Sequence, residues 1–287
     1  MTWHDKDISG KWLIQHHGDS MLRLGGVRDI VSWRSLQAEV VHPGRLPDGL
    51  LEVQIAGQSR PDVFLLELET YPDKSLAEQV LRNQLLVYLD RGVFPEALAL
   101  ILHPKPRGQF RVPAEMGLQS RLGFSELRAR WRVVELWTLS AEELLAASDV
   151  GLIPWVPLTQ YPGPPEALLQ RCRESIDQQA RPEERINLLA VTQVMAILQY
   201  NNPQLMTILG GSQVMIESPL IQELMAKNTA QTKHEDILQV LCRRFGRVPE
   251  EIAAAVRTIF DNSKLRELLD EAASCADLEA FRACLGR

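Results

Sequence analysis

Val63-Phe64-Leu65-Leu66-Glu67-Leu68-Glu69-Thr70 is the stretch that decides the fold, because it sets two carboxylates inside an otherwise apolar run. Side chains at alternate positions of a β-strand point to the same face. A strand over these residues therefore places Glu67 and Glu69 on one face and Leu66 and Leu68 on the other. Neighbouring carboxylates that are partly removed from water are unfavourable unless they are protonated, paired or neutralised by a cation. A divalent metal ion would satisfy that requirement.

A second strand is predicted just upstream, over Gly49-Leu50-Leu51-Glu52-Val53-Gln54-Ile55. The polar stretch 56–62 can turn the chain back into the first strand, so that Asp48 stands beside the two glutamates. This arrangement predicts a site for Mg²⁺ or Mn²⁺ with Asp48, Glu67 and Glu69 as oxygen ligands. The alternative is that Glu67 and Glu69 face solvent on an edge strand.

Composition favours a soluble globular protein. The 287 residues suffice for one sizeable domain with an appendage or for two small domains. Hydrophobic residues make up 45% and charged residues 24% of the chain, and no apolar stretch approaches the roughly 18 residues of a membrane span. The N-terminus lacks the features of a signal peptide, so we expect a cytoplasmic protein. The four cysteines have no CxxC spacing, which predicts reduced thiols.

Charge is distributed unevenly along the chain. The net charge of −6 disfavours a protein that coats nucleic acid by bulk electrostatics. The segment 103–132 nevertheless holds seven basic and two acidic residues, a net charge of +5. A further strand predicted over 128–137 places Arg128, Arg130 and Arg132 on one face, where they could contact phosphates. The alternative is a solvated edge strand that its charges protect from aggregation.

The order of predicted elements indicates an α/β core. An amphipathic opening around 11–15 and strand-like residues Leu36–Val41 precede the two strands. A helix follows, with Ser75 and Glu78 spaced as a capping box and apolar spacing up to Arg91. Residues 97–102 then form a buried strand, which completes the order strand, strand, strand, helix, strand.

Proline marks the predicted division of the chain. The passage from Pro154 to Pro165 interrupts regular structure, and the sequence beyond it has helical spacing. We therefore predict a core over residues 1–150, a Pro-rich connection with a helical extension over 151–230, and a small helical bundle over 231–287.

The order of several short motifs also resembles a known family. Between Glu39 and Tyr88, the pieces and their spacing are similar to those of the Rpn-type recombination-promoting nucleases, bacterial transposase-like proteins of the PD-(D/E)XK superfamily. The matching pieces are Glu39-Val40-Val41, Asp48 before Leu50-Leu51-Glu52-Val53, Glu67-Leu68-Glu69, Tyr71-Pro72-Asp73 and Leu85-Leu86-Val87-Tyr88. Later stretches, among them Gly151–Leu158, Met215–Ser218 and Leu238–Glu251, are similar to the run and the small helical domain that often follow such cores.

The resemblance implies a fold and roles for individual residues. The fold would be α/β, a restriction-endonuclease-like mixed-sheet core followed by an all-helical C-terminal region. Asp48 and Glu67 would bind the metal, and Glu69 would occupy the third signature position. The superfamily usually has lysine there, and these relatives often have glutamine. A glutamate lacks the lysine's positive charge, but it could add a metal ligand, act as a general base or mark a core that has lost catalysis. Lys74, Gln79 and Arg82 could also reach the site.

The resemblance further implies an activity and partners. The expected activity is Mg²⁺- or Mn²⁺-dependent endonucleolytic hydrolysis of DNA. The process that the resemblance implies is recombination or the mobility of genetic elements. Arg128, Arg130 and Arg132 would bind the DNA. The alternative is an inactive nuclease-fold protein that serves as a binding or interaction module. The C-terminal helices would then contact a protein partner or a second copy of the chain. No membrane partner is expected.

Overall fold

The computed structural model describes residues 3–35, 47–104, 111–121 and 123–285. They form a mixed α/β protein with a helical C-terminal region, which confirms that part of the predicted fold class. The chain divides into two compact units, residues 1–215 and 216–287. The strand-like piece Leu36–Val41, with Glu39, lies outside the described residues.

Two sheets lie in the first unit. Their strands are β1 (Ile30–Ser35), β2 (Gly49–Ile55), β3 (Asp62–Glu69), β4 (Glu96–Ile101), β5 (Glu115–Gln119), β6 (Glu126–Arg130) and β7 (Arg132–Glu135). The larger sheet has the order β1-β2-β3-β4-β7. Strands β1, β2 and β3 pair antiparallel, whereas β3 with β4 and β4 with β7 pair parallel. Strands β5 and β6 form a separate antiparallel hairpin.

Helices cover both faces of the larger sheet. The helices that begin in the first unit are α1 (Trp3–Leu24), α2 (Leu76–Arg91), α3 (Ala141–Ala146), α4 (Pro165–Gln179), α5 (Pro182–Tyr200) and α6 (Gly211–Glu217). On one face, Val63 and Leu65 of β3 pack in a core that includes Val80 of α2. On the other face, Leu68 lies against Gly10 of α1. Strand β3 is therefore central and covered on both sides, which explains its nearly continuous apolar sequence.

Helix α2 confirms the predicted helix but not its predicted cap. It begins after Ser75 and ends at Gly92, whose φ of 67° is in the left-handed region that glycine tolerates. The Ser75 hydroxyl donates to Oδ1 of Asp73 over 2.5 Å, and the Ser75 backbone N–H donates to the same oxygen over 2.7 Å. The capping box with Glu78 was therefore a wrong prediction, because the preceding Asp73 takes the hydroxyl.

The predicted strand over 128–137 is split into two strands that belong to different sheets. Strand β6 ends at Arg130 in the hairpin, and β7 begins at Arg132 in the larger sheet. Trp131 lies between them, and its side chain is buried in the core beneath α2. The prediction that Arg128, Arg130 and Arg132 share one face of one strand is therefore wrong.

The Pro-rich passage lies inside the first unit. Residues Val150–Leu158 form a 3₁₀-helix in which every residue from Gly151 to Leu158 is buried. This segment packs against α4 and α5. The compact unit thus continues past the division predicted at residue 150 and ends at residue 215. Pro154 and Pro157 lie inside this buried 3₁₀-helix, a role that residue composition alone does not distinguish from that of a linker.

The second unit consists of α7 (Pro219–Phe245), α8 (Glu250–Arg257), α9 (Asn262–Ser274) and α10 (Leu278–Leu285). Ala230, Leu241, Val256, Leu268 and Phe281 are among its buried core residues. This unit begins earlier than the predicted bundle at residue 231, because α7 starts at Pro219 and continues into the core. All four cysteines are free thiols. None of the helices in the described ranges is both long and apolar enough to span a bilayer.

Candidate metal centre on the central strand

The register between β2 and β3 brings Asp48 next to Glu67. Gly49 pairs with Leu66, and continuing this antiparallel register by one residue places Asp48 opposite Glu67. Oδ2 of Asp48 accepts the backbone N–H of Leu68 over 2.8 Å. The structure thus brings two of the three predicted ligands together on adjacent strands. The sequence suggested this proximity because only a short polar turn separates the two strands.

Glu67 is buried and held at both carboxylate oxygens. Its side chain faces α2, and the residue is only 1% exposed. Nε2 of Gln79 donates to Oε2 over 2.8 Å, and Nδ2 of Asn83 donates to Oε1 over 2.6 Å. Gln79 and Asn83 are four residues apart on α2, so both side chains lie on the same face of the helix. The alternative that Glu67 faces solvent on an edge strand is therefore excluded.

Burial changes the acidity of Glu67. Removal from water, and then the nearby Asp48 carboxylate, raise the pKa of Glu67 to about 8. The hydrogen bonds from Asn83 and Gln79 act in the opposite direction, and Glu69 adds a smaller raising effect. Near neutral pH the Glu67 carboxyl therefore carries a proton for much of the time in the metal-free protein. A divalent cation would favour the ionised form instead.

Lys11 places a positive charge beside the Asp48 carboxylate. Its Nζ lies 3.3 Å from Oδ1 of Asp48, and its side chain is 38% exposed whereas that of Asp48 is 13% exposed. Lys11 belongs to α1, on the other side of the sheet from α2. The sequence analysis did not single out Lys11, since it is far from the strands in sequence.

Glu69 lies on the same strand, two residues beyond Glu67. It pairs with Ile101 of β4 and is half-buried. The negative charge of Glu69 contributes to the raised pKa of Glu67, so the two carboxylates interact electrostatically. Glu69 is thus in the position where the resemblance implies the third signature residue.

The donor set can be compared with the needs of a divalent metal. Over the ranges that the structure describes, no three or more His, Cys, Asp or Glu side chains are arranged to share one ion. The available groups are nonetheless hard oxygen donors, which Mg²⁺ and Mn²⁺ prefer. Oδ1 of Asn83 is also buried and has no hydrogen-bond partner among the described groups. Asp48 and Glu67 are donors of the type that a small, hard cation with its own water ligands takes, and the orphan oxygen belongs to the side chain that binds Glu67.

Other residues predicted near the site differ in their placement. Gln79 contacts Glu67 directly, as expected. Arg82 is half-buried on α2, and its Nε has no hydrogen-bond partner in the part of the chain that the structure describes. Lys74 is exposed on the turn after β3. Asn83 was missed, although its spacing of four residues from Gln79 was a signal that could have identified it.

The three predicted DNA-contacting arginines fall into two groups. Arg128 and Arg130 project from the hairpin with side chains 81% and 85% exposed. Each forms an ion pair, Arg128 with Glu126 at 2.5 Å and Arg130 with Glu115 at 3.1 Å. Nη1 of Arg132 instead donates to the backbone carbonyl of Gly25, after α1. Only Arg128 and Arg130 therefore form a shared exposed surface.

No protein-family model, no curated protein and no solved structure matches this chain. The relation to Rpn-type nucleases thus stays a prediction from the order of the sequence motifs.

Proposed function

We propose that this protein is a Mg²⁺- or Mn²⁺-dependent DNA endonuclease whose metal is held by Asp48 and Glu67. The observation that carries the proposal is the juxtaposition of these two carboxylates on adjacent central strands, one of them buried and fixed from α2. A carboxylate is rarely buried at the centre of a sheet without a compensating partner. The mixed sheet and the order of the motifs agree with the resemblance to PD-(D/E)XK nucleases.

Each residue has a role in the proposed reaction. When bound, the metal would polarise the scissile phosphate and lower the pKa of the attacking water. Asp48 and Glu67 would hold the cation, while Gln79 and Asn83 keep the Glu67 carboxylate oriented. Glu69 accepts a proton from the attacking water while the oxygen of that water forms a bond to phosphorus. The P–O bond to the sugar oxygen then breaks, and that oxygen takes a proton from solvent.

The hairpin offers a surface for the DNA backbone. Arg128 and Arg130 are exposed and carry charges that suit non-specific phosphate contacts. Their ion pairs with Glu126 and Glu115 are exposed, and such pairs contribute little to stability. Replacing these ion pairs by contacts with DNA phosphates therefore costs little free energy.

A cleavage assay with matched variants tests the proposal. Supercoiled and linear DNA are incubated with purified protein in Mg²⁺, Mn²⁺ or EDTA, and the same protein is titrated with Mn²⁺ calorimetrically. We expect metal-dependent cleavage by the parent and its loss in Asp48→Asn and Glu67→Gln. Glu52→Gln is the control, since Glu52 lies on β2 but pairs with Arg34 away from the site. Cleavage by Asp48→Asn at the parental rate would show that the site assignment is wrong.

A binding module without catalysis is the second candidate. Glu69 favours it, because this position lacks the lysine of the superfamily. The hydrogen bonds from Gln79 and Asn83 also satisfy Glu67 without a metal. In that case the folded parent would bind DNA or a protein partner, but it would neither cleave DNA nor be stabilised by Mn²⁺.

A further inference from the structure

Lys11 lies where the proposed reaction needs a positive charge. We propose that Lys11, supplied by α1, is the cation that contacts the scissile phosphate in place of the lysine that Glu69 replaces. This inference rests on the proposed nuclease function. Its basis is the position of Nζ, 3.3 Å from Oδ1 of Asp48, on a side chain that is still 38% exposed. The ammonium is thus both at the site and open to a substrate.

Close packing of α1 on the sheet fixes the origin of the Lys11 side chain. A Cβ at Gly10 would lie 2.5 Å from Cδ1 of Leu68, so the helix approaches β3 more closely than an alanine there would permit. Leu68 is also the residue whose backbone N–H binds Asp48. The same residue of β3 therefore positions both Lys11, through Gly10, and the carboxylate that Lys11 contacts.

A second glycine contact supports this placement. Gly49, next to Asp48, lies beneath Ile14 of α1, and a Cβ at residue 49 would overlap the Ile14 side chain. The helix is thus in close contact with both strands that carry the metal ligands. Lys11 lies on α1 between these two contact residues, Gly10 and Ile14, and its Nζ reaches Oδ1 of Asp48.

The charges explain how the role of Lys11 would change when the metal binds. In the metal-free protein the ammonium compensates Asp48, beside the further carboxylates Glu67 and Glu69. A dication on Asp48 would repel the ammonium, since like charges at one site oppose each other. Lys11 then turns toward the phosphate of the bound DNA. Lysine is well suited to this movement because its ammonium is a point charge on a flexible stem.

Lys11→Met and Lys11→Arg test the inference by two independent measurements. Metal affinity is measured by Mn²⁺ titration, and turnover is measured with DNA at saturating metal. We expect Lys11→Met to bind Mn²⁺ about tenfold more tightly, because a competing charge is removed. The same variant should cleave about 100-fold more slowly, and Lys11→Arg should recover part of that rate. Lys227→Met is the matched control, because Lys227 on α7 is likewise a lysine in an ion pair, with Glu223 at 2.6 Å.

The outcomes separate this inference from the proposed function. Tighter Mn²⁺ binding together with slower turnover in Lys11→Met, and parental values in Lys227→Met, support the role of Lys11. If the parent binds metal and cleaves DNA while Lys11→Met does both equally well, Lys11 has no such role and the nuclease assignment stands. If the parent neither binds Mn²⁺ nor cleaves DNA, the proposed function and this inference are both wrong.

Discussion

Asn83 in α2 donates its side-chain amide to the Glu67 carboxylate at the centre of the sheet over 2.6 Å. Asn83 is 2% exposed and Glu67 is 1% exposed, so water cannot replace this hydrogen bond. The contact joins the helix that follows β3 to the strand itself. It therefore serves the stability of the fold and the geometry of the candidate metal centre together.

Replacing Asn83 by alanine should destabilise the protein. The change leaves a Glu67 oxygen unpaired and opens a small cavity, and we expect the free energy of unfolding to fall by about 1–3 kcal/mol. Urea denaturation in EDTA measures this change. Gln170→Ala serves as the control, because Gln170 is an exposed amide on α4 that bonds only Glu174 among the described contacts, and its loss should stay within about 0.5 kcal/mol. Equal stability of Asn83→Ala and the parent would contradict the proposed packing of α2 on β3.

Glu67 should make the metal-free protein less stable as pH rises. Its pKa is about 8 in the folded protein against the ordinary value of 4.5. A raised pKa means that the folded state binds the proton more tightly than the unfolded state. The resulting stabilisation is complete below pH 4.5 and is lost as pH rises to about 8, a change on the order of a few kcal/mol. Glu67→Gln should flatten the dependence of the unfolding free energy on pH over this range. Parallel curves for the parent and the variant would mean that Glu67 is ionised throughout.

His17 should have the opposite effect on the acid side. It is buried at a kink in α1, where its φ is −137°, and its Nε2 has no hydrogen-bond partner among the described groups. Burial lowers the pKa of His17 below 6.5, and His16 adds a smaller lowering effect, although the carboxylates of Glu184, Asp149 and Asp19 act to raise it. The folded state thus prefers the neutral ring. Its contribution to stability is present above pH 6.5 and is lost as pH falls through the lowered pKa.

The histidine prediction is checked by His17→Gln beside His103→Gln. His103 follows β4, and its ring lies edge-on to that of Tyr71, with 5.8 Å between the ring centroids. We expect His17→Gln to reduce the slope of stability against pH below about pH 6.5, where a lowered histidine pKa acts, and His103→Gln to change that slope less. The same reduction in both variants would assign the effect to general charge.

Alanine substitutions of the three arginines in the split strand should differ in their effects on stability and on DNA binding. Arg128→Ala and Arg130→Ala remove exposed ion pairs, so stability should change by less than about 0.5 kcal/mol in each. Arg132→Ala removes a hydrogen bond to the Gly25 carbonyl and should cost about 1–2 kcal/mol. If the hairpin holds DNA, the Arg128→Ala and Arg130→Ala double variant should also reduce the slope of log K against log salt by about 2. An unchanged slope would place the DNA elsewhere.

The sequence predicted the central sheet well because its signals are local. The run around Glu67 and the strand over 49–55 are each marked by alternating or continuous apolar residues and by a polar turn between them. The proximity of Asp48 and Glu67 was predicted correctly for the same reason, since a short hairpin fixes the register of neighbouring strands. The helix from residue 76 to 91 was equally clear from its spacing.

The remaining features depend on contacts between residues that are distant in sequence. The side chain of Trp131 is drawn into the core, and this divides an alternating run between two sheets. The buried 3₁₀-helix at 150–158 resembles a linker in composition, and only its packing against α4 and α5 distinguishes it. Lys11 reaches Asp48 because Gly10 lets a helix approach Leu68, a contact between residues 58 positions apart that no local pattern predicts.

The position of the hairpin between β4 and β7 has a consequence for how such a protein can evolve. The chain leaves the larger sheet at Ile101 and returns to it at Arg132. The hairpin of β5 and β6 therefore lies between β4 and β7 in sequence, but it is not part of the larger sheet. Changes of charge on its exposed face alter the arginines, whereas Met116, Leu127 and Ala129 on its other face pack in the core beneath α2. Natural variation can thus change the charge of this surface while Asp48 and Glu67 keep their positions, and homologues should differ most in charge on the exposed face of the hairpin.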